Sequence, residues 1–391
     1  MKAEYQQDLG ELLERGRKEL WQNIQRNDRE PRDTDQKHTL LNDPTTSREF
    51  FFQELERQHP IMKGYPLTPQ LGLAVRYSII ARRLRQEQSS VPQPLQQYPE
   101  RLAKALESLV ARLRQPDTSS EHISEDRLPF FRDKVIEQIR QLTNKLVSPQ
   151  LKHTDHVPCV MEGHQGCRIL LVGDSPGSRE IRLGVPFVDN HIAEMYGLGT
   201  EQNGKQYAGD ILSNILKRVW LWRPAWGEPP PDASSWLQVA ITNRRRYVTE
   251  LSSEYPWLLE LEALALDPVV TVALGKEAFE AIRHITQLDI GQFYSSRIAP
   301  AAPFGHVITT FHPAYLMHED VLEKRDLAEI AIENALRKAA RIASNPEDLS
   351  ASAIDLFDIR QYQETINDIA KELRSSQGEP GEPSEEDITR D

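Results

Sequence analysis

Three polar residues of this 391-residue chain stand out by type and setting. Asp174 lies in the turn Gly173-Asp174-Ser175-Pro176-Gly177, directly after the apolar run Ile169-Leu170-Leu171-Val172. Asn243 closes Val239-Ala240-Ile241-Thr242-Asn243, and His312 stands between a second β-branched run, Gly305 to Phe311, and Pro313. A carboxylate can act on water, an amide offers a donor and an acceptor together, and an imidazole can donate to developing charge. Phe187, within Gly184-Val185-Pro186-Phe187-Val188, has a face on which a planar ring can stack. Each also has a plain structural reading: a tight strand-to-helix turn, a turn cap, a packed histidine, a core aromatic. Their order along the chain separates the two readings.

The segments around them alternate. Short apolar runs at 169–173, 239–243, 268–275 and 305–313 have the look of buried strands, and 208–221, 276–284 and 321–341 have helical patterning. A βα alternation predicts a largely parallel sheet with helices on both faces. Ligands of such sheets bind outside the carboxyl ends of the strands, which is where Asp174, Asn243, Gly275 and His312 all fall. Arg244-Arg245-Arg246 follows Asn243 at once; three adjacent cations there suit phosphate contacts, or else form a solvated surface run.

Residues 1–150 are patterned as a helical region. Leu102, Leu106, Leu109 and Leu113 repeat at helical spacing, as do Val135, Ile139, Leu142 and Leu146. Segments near 3–28, 46–58 and 68–88 are also expected to be helical, and Ser89-Ser90-Val91-Pro92-Gln93-Pro94 is expected to divide the region. Its plain reading is a unit that binds a protein partner. Residues 343–391 are expected to hold an amphipathic helix over about 351–374 and a disordered acidic tail. The net charge of -12 owes most to this end, where residues 342–391 carry thirteen acidic and four basic side chains. Such acidity argues against a nonspecific DNA coat protein and leaves room for a local basic groove. No run of apolar residues is long enough to span a membrane, and mean hydropathy is -0.56. The start, Met1 to Gln7, has no apolar signal region, and two cysteines cannot build a disulfide scaffold. A cytoplasmic protein without membrane contact is expected. Neither a Walker nor a Rossmann glycine pattern is present, which weakens a reading as a nucleotide hydrolase.

Taken in order, the motifs resemble the uracil-DNA glycosylase superfamily, most closely its iron–sulfur thermostable branch. That branch has a Gly-Glu-Ala-Pro-Gly turn and then Gly-x-Pro-Phe-Val; here they read Gly173 to Gly177 and Gly184 to Val188. Its Ala-Gly-x-Leu-Leu is similar to Ala208-Gly209-Asp210-Ile211-Leu212, its Ile-Thr-Asn to Ile241-Thr242-Asn243, and its Leu-Gly to Leu274-Gly275. Its final His-Pro motif is similar to His312-Pro313-Ala314, followed by Tyr315-Leu316-Met317. The resemblance implies a three-layer α/β domain over 155–342 that hydrolyses the N-glycosidic bond of a flipped uracil or modified pyrimidine in DNA. It implies Asp174 and His312 as the catalytic pair, acting on water and on the departing base. Gly173, Ser175, Pro176, Gly177, Phe187 and Asn243 would bind the base. Arg244, Arg245, Arg246, Gly275, Pro313, Ala314, Tyr315 and Leu316 would meet DNA, with Tyr315 to Met317 as a wedge. Repair or defence against phage DNA would be the setting. The alternative is a non-catalytic nucleic-acid-binding or signalling module on the same fold.

The chain also departs from that branch. Asp174 replaces a glutamate, one methylene longer. Cys159 and Cys167 cannot supply four cluster thiolates, so no cofactor and no metal are expected. Asp189 to Tyr207 is inserted after Phe187, and reads either as a cover for the pocket or as a surface loop. A second insertion, Arg223 to Pro231, lies away from every motif and reads as bland.

Overall fold

Apolar side chains at every third or fourth position fold residues before the first strand into helices. The chain is described here by a computed structural model covering residues 69–115, 123–151, 155–198, 207–229, 236–247, 255–286, 299–301, 303–318 and 322–344. These residues fall into two compact units, divided after Leu128. In the first, helix α1 (Pro69–Glu87) packs on α2 (Gln97–Leu113), and α2 buries Leu102, Leu106, Val110 and Leu113 along one stripe. The break between them is two short 3-10 turns, Gln88–Ser90 and Gln93–Leu95, where Pro92 and Pro94 deny the backbone donors a continuous helix needs. Arg85 holds Glu107 across the pair with two exposed hydrogen bonds of 3.2 and 3.1 Å, contacts that add little stability in water. The helices expected at 3–28, 46–58 and 351–374, and the acidic tail, lie outside the described residues.

The second unit begins with α3 (Leu128–Val147), whose Val135, Ile139, Leu142 and Leu146 form the buried stripe. This helix is part of the α/β body: Arg140 donates to the carbonyls of Met161 (2.7 Å) and Gly163. The central strand follows, β1 (Ile169–Gly173), all five residues buried. Then come α4 (Ser178–Leu183), α5 (Asn190–Met195), α6 (Ala208–Arg218), β2 (Leu221–Trp222) and β3 (Leu237–Asn243). The chain continues through α7 (Trp257–Leu266), β4 (Val270–Leu274), α8 (Lys276–Thr286), β5 (Ala299–Pro300), β6 (His306–Thr310), α9 (Tyr315–His318) and α10 (Leu322–Ser344). The sheet order is β2-β3-β1-β4-β6-β5, parallel except for the short β5 at its edge.

Both faces of this sheet are covered, which is why its strands are nearly continuous Val, Ile and Leu rather than alternating. Ile169, Leu171, Val239, Ile241, Val270, Val272 and Leu274 join one core with Ile211, Leu212 and Ile215 of α6 and Ile332, Leu336 and Ala339 of α10. The other face carries α7, tied to β3 by the 2.9 Å bond from Thr242 to Glu262. The chain leaves β1 toward β3 and returns on the other side as β4, so its winding changes direction at β1. The carboxyl end of β1 is therefore a crevice-forming point of the fold. The expected three-layer α/β architecture with its parallel sheet is the one observed. None of the described helices is long and apolar enough to cross a membrane.

Leu171 is fully buried in the central strand. Leu171→Ala is expected to lower the unfolding free energy by about 2–5 kcal/mol in urea titrations. Val157→Ala, at an exposed position, is expected to change it by less than about 0.5 kcal/mol.

Candidate active site

Strand pairing brings the sequence-distant residues together. Gly173 and Asn243 are register partners at the ends of β1 and β3. The pairing runs on past the strands, with Arg244 N–H donating to Gly173 O and Arg245 N–H to Asp174 O, both at 3.0 Å. On the other side of β1, Gly275 follows β4 and donates its N–H to Thr310 O at 2.8 Å. Gly275 has φ +92, and a Cβ there would stand 2.9 Å from that of His312, so only glycine lets this loop close on the histidine. Asp174, Asn243, Gly275 and His312 thus share one end of the sheet.

Phe187 is the centre of the arrangement. Its backbone sits at φ +49, a left-handed conformation that costs a non-glycine residue on the order of 1–3 kcal/mol. Two side chains hold it there. Glu180 of α4 accepts the Phe187 N–H, and also the N–H of Gly177 at the start of its own helix. Arg223 donates to Phe187 O at 2.7 Å and to Pro186 O, while Glu162 grips the same guanidinium as an ion pair. So held, the ring lies against Gly173, where a Cβ would fall on both the Phe187 ring and Asn243 Oδ1. Val188 O and Phe187 O in turn meet Gly209 at the start of α6, with no room for a side chain.

Two polar atoms border this ring without any partner: Asn243 Oδ1 and His312 Nε2, both inaccessible to solvent. Buried polar atoms are nearly always hydrogen-bonded, so a pair of orphans at the mouth of a parallel sheet marks a place for a ligand. The His312 ring lies 5.5 Å from that of Phe187, tilted by 33°. Its Nδ1 accepts the Ala314 N–H at 3.1 Å, leaving the proton of the neutral ring on Nε2. Burial pushes the His312 pKa down to about 4, against the pull of Asp174. At neutral pH the site therefore holds an uncharged imidazole with a free N–H. On the Asn243 amide, the nitrogen donates to the Cys159 sulfur at 3.7 Å, and the oxygen is left over.

Asp174 is half-buried. Its Oδ1 is held by Arg244 Nε at 2.6 Å, and Oδ2 receives only a 3.4 Å bond from the Ser175 hydroxyl. Arg244 also reaches Glu277 at 3.1 Å. Pro176 is buried and Gly177 exposed at the head of α4.

Two expectations about DNA contact need correction. Arg246 is not a surface cation: its guanidinium is buried, ion-paired with Glu262 at 2.7 Å and bonded to Thr242. It braces the strand end that carries Asn243, leaving Arg245 and the Asp174-bound Arg244 as the half-buried members of the run. Leu316 is not an exposed wedge either, because the short helix α9 turns it into the core, where it is 2% exposed. Pro313 is buried as well, Ala314 is half-buried, and half-buried Tyr315 stacks on Phe311 at 5.4 Å.

Residues 160–336 match the model of the uracil DNA glycosylase superfamily. This part of the chain is a uracil DNA glycosylase superfamily domain. No curated protein matches the chain. Cys159 and Cys167 are both buried and burial pushes both thiols up, Cys167 to about 12; two thiols are fewer than the four that hold an iron–sulfur cluster.

Three supports of this site were missed in the sequence. Glu180 had a local signal, since a glutamate three residues into a helix commonly accepts the N-cap N–H; its reach to Phe187 had none. Arg223 lies in the insertion taken as bland, yet it is fully buried and bonds the Phe187 peptide. In the other insertion, Asp189 is buried and collects bonds from Ile192 N, Ser213 Oγ and Trp226 Nε1, so that α5 packs Ile192 and Ala193 into the core. Residues 199–206 of that insertion lie outside the described residues.

Two outcomes follow. Arg223→Ala is expected to destabilise the domain by about 3–5 kcal/mol in denaturant titrations, since it strands Glu162 as an unpaired buried charge. Nitrogen-15 NMR of the imidazole is expected to show His312 neutral with its proton on Nε2, titrating near pH 4. Because its folded pKa lies below the ordinary 6.5, the stability it contributes is complete above pH 6.5 and lost as pH falls through 4.

Proposed function

We propose that this protein is a DNA glycosylase that hydrolyses the N-glycosidic bond of a flipped uracil or modified pyrimidine and leaves an abasic site. The observation that carries this reading is the pair of buried, unpartnered atoms beside Phe187, an acceptor on Asn243 and a donor on neutral His312. A pyrimidine has a complementary edge: ring or exocyclic N–H for the first, a carbonyl oxygen for the second.

The chemistry follows from where charge appears. A base must leave the stack before its glycosidic bond can be reached. Stacking on Phe187 offsets part of that cost, typically about 1–3 kcal/mol per base. As the bond breaks, electrons move to the base, whose carbonyl oxygen gains negative charge. The Nε2–H of His312 meets that charge as a fixed dipole, stronger in the transition state than before it. A neutral imidazole suits this role because it polarises without surrendering its proton. The sugar left behind is cationic, and the Asp174 carboxylate stabilises it and directs water to C1′. Arg244 and Arg245 stand next to this carboxylate, where the phosphates of a flipped nucleotide would run. Pairing of Arg244 with Asp174 is the observation that favours the non-catalytic alternative, since an occupied carboxylate is a poorer base. Removal of damaged bases in repair, or of modified bases from phage DNA, are the settings in which such an activity serves.

Single-turnover base release from oligonucleotides carrying uracil and a panel of modified pyrimidines tests the proposal. Asp174→Asn and His312→Ala are each expected to slow release by about 10²–10³ while DNA affinity changes little. Phe187→Ala is expected to weaken affinity and rate together. Tight DNA binding by a wild-type protein that releases no base from the panel would favour the non-catalytic reading.

A further inference from the structure

One guanidinium lies across the mouth of the sheet. Arg244 follows β3, and Glu277 is the second residue of α8, which follows β4. Between those two strands runs β1, with Asp174 just beyond its end. Arg244 therefore reaches over the end of the central strand, its own N–H anchored on Gly173 O, and divides its side-chain donors between two carboxylates. Nε meets Asp174 Oδ1 at 2.6 Å, and Nη2 meets Glu277 Oε2 at 3.1 Å. The two ends are unequal. The arginine side chain is 16% exposed and that of Asp174 32%, whereas that of Glu277 is 59% exposed and its bond is the longer. An ion pair in open solvent adds little to stability, so the Glu277 end is held loosely. Helix α8 docks through its buried Ala278, Phe279 and Ile282, independently of that carboxylate. Once released, Glu277 still stands in the first turn of α8, where the helix dipole favours a negative charge. Exchanging this partner costs the protein little.

We infer that Glu277 is a stand-in for a DNA phosphate: it offers Arg244 an anion in the free protein, and a phosphate beside the flipped nucleotide takes the arginine over while Asp174 keeps its hold. This rests on the glycosylase reading above. A phosphate suits the exchange because it presents the same pair of anionic oxygens to a guanidinium, and arginine binds either group through paired N–H donors. The position of the phosphate follows from Asp174. Two hydrogen bonds and the width of one guanidinium keep the two acceptors within roughly 8 Å of each other. If Asp174 faces C1′ of the nucleotide under attack, that reach favours the two phosphates flanking this nucleotide over any further along the strand. The arginine then ties strand capture to the carboxylate that acts on the sugar. Glu277 keeps it extended and pointed outward until DNA arrives, at the cost of competing for it.

The test uses the full chain and an oligonucleotide with one tetrahydrofuran abasic site, so that the identity of the base plays no part. Glu277→Gln is expected to bind this probe about two- to fivefold more tightly than the wild type in fluorescence anisotropy. Removing any negative charge near DNA raises affinity somewhat, so the decisive quantity is the coupling to Arg244. In an Arg244→Gln background the gain from Glu277→Gln is expected to vanish. Glu280→Gln serves as the contrast, because Glu280 pairs with Arg283 on the same helix at 2.9 Å; it is expected to leave affinity unchanged. A second measurement needs no variant at position 244. Neutral methylphosphonates placed one at a time along the probe are expected to erase the Glu277→Gln gain only at a linkage flanking the abasic sugar. The inference is overturned if Glu277→Gln binds no more tightly than the wild type, if the gain survives without Arg244, if Glu280→Gln reproduces it, or if no flanking methylphosphonate removes it. Coupling in these binding assays without base release from the pyrimidine panel would remove the catalytic reading and leave the exchange standing. Base release without the coupling would do the reverse.

Discussion

A phenylalanine in left-handed backbone geometry is uphill, and the rest of the site is arranged around keeping Phe187 there. Its N–H and C=O are both committed, one to the Glu180 carboxylate and the other to the Arg223 guanidinium. Those two side chains approach from different elements, α4 and the segment after β2, so the peptide is held from opposite directions. Neither support stands alone. Arg223 is fully buried and needs Glu162, whose second oxygen also receives the Ala225 N–H at 2.8 Å. Glu180 is capped in turn by the Gly177 N–H that opens its helix. The ring is fixed less by its own packing than by a closed circuit of charge and backbone.

The same logic recurs one strand away. Burial pushes the Glu262 pKa up, while Arg246 and the Thr242 hydroxyl favour its charged form. That network joins α7 to the end of β3, two residues around Asn243 being committed to it. Removing charges from water is costly, and an ion pair in a protein interior is weak evidence of stability. What these pairs do supply is a defined geometry, because each guanidinium and each carboxylate has few positions that satisfy all its bonds. Asn243 Oδ1 and His312 Nε2, by contrast, are buried beside the Phe187 ring without a partner.

Much of this was legible in the sequence where the signal is local. β1, β3, β4 and β6 are apolar runs with turn residues at their ends, and the motifs at those ends converge because parallel strands present the same end. The amphipathic helices α2 and α3 carried their own periodicity. What escaped had no local mark. α7 is buried on every side, Glu260 and Glu262 included, so its helical period is masked. β2 and β5 are two residues each. Arg223, in a proline-rich stretch, looked like surface because arginine usually is; its partner Glu162 is sixty-one residues away. The triple arginine failed for the complementary reason. The backbone bends after Asn243 instead of continuing as a strand, and Arg246 turns inward to Glu262 while Arg244 turns to Asp174.

That last contact bears on what a carboxylate at position 174 can do. Its shorter side chain keeps Asp174 nearer the backbone than a glutamate would be, and Arg244 takes Oδ1 at 2.6 Å. Only Oδ2 is left with a weak contact, the 3.4 Å bond from Ser175. An arginine in such a place draws charge away from the carboxylate, yet it also fixes the plane of the group, so that one named oxygen faces outward. Glu277 holds the other end of the same guanidinium, at an exposed position where solvent screens the attraction. A phosphate arriving along the DNA backbone would compete with Glu277 far more readily than with Asp174, because bonds to the buried side of the pair are shorter and less screened. Binding could therefore recruit Arg244 to DNA without freeing the carboxylate it orients. Under the glycosylase reading the arginine's effect on Asp174 is geometric first: it trades basicity for direction. For a reaction that needs water at one carbon and a negative field beside one cation, direction is the scarcer of the two.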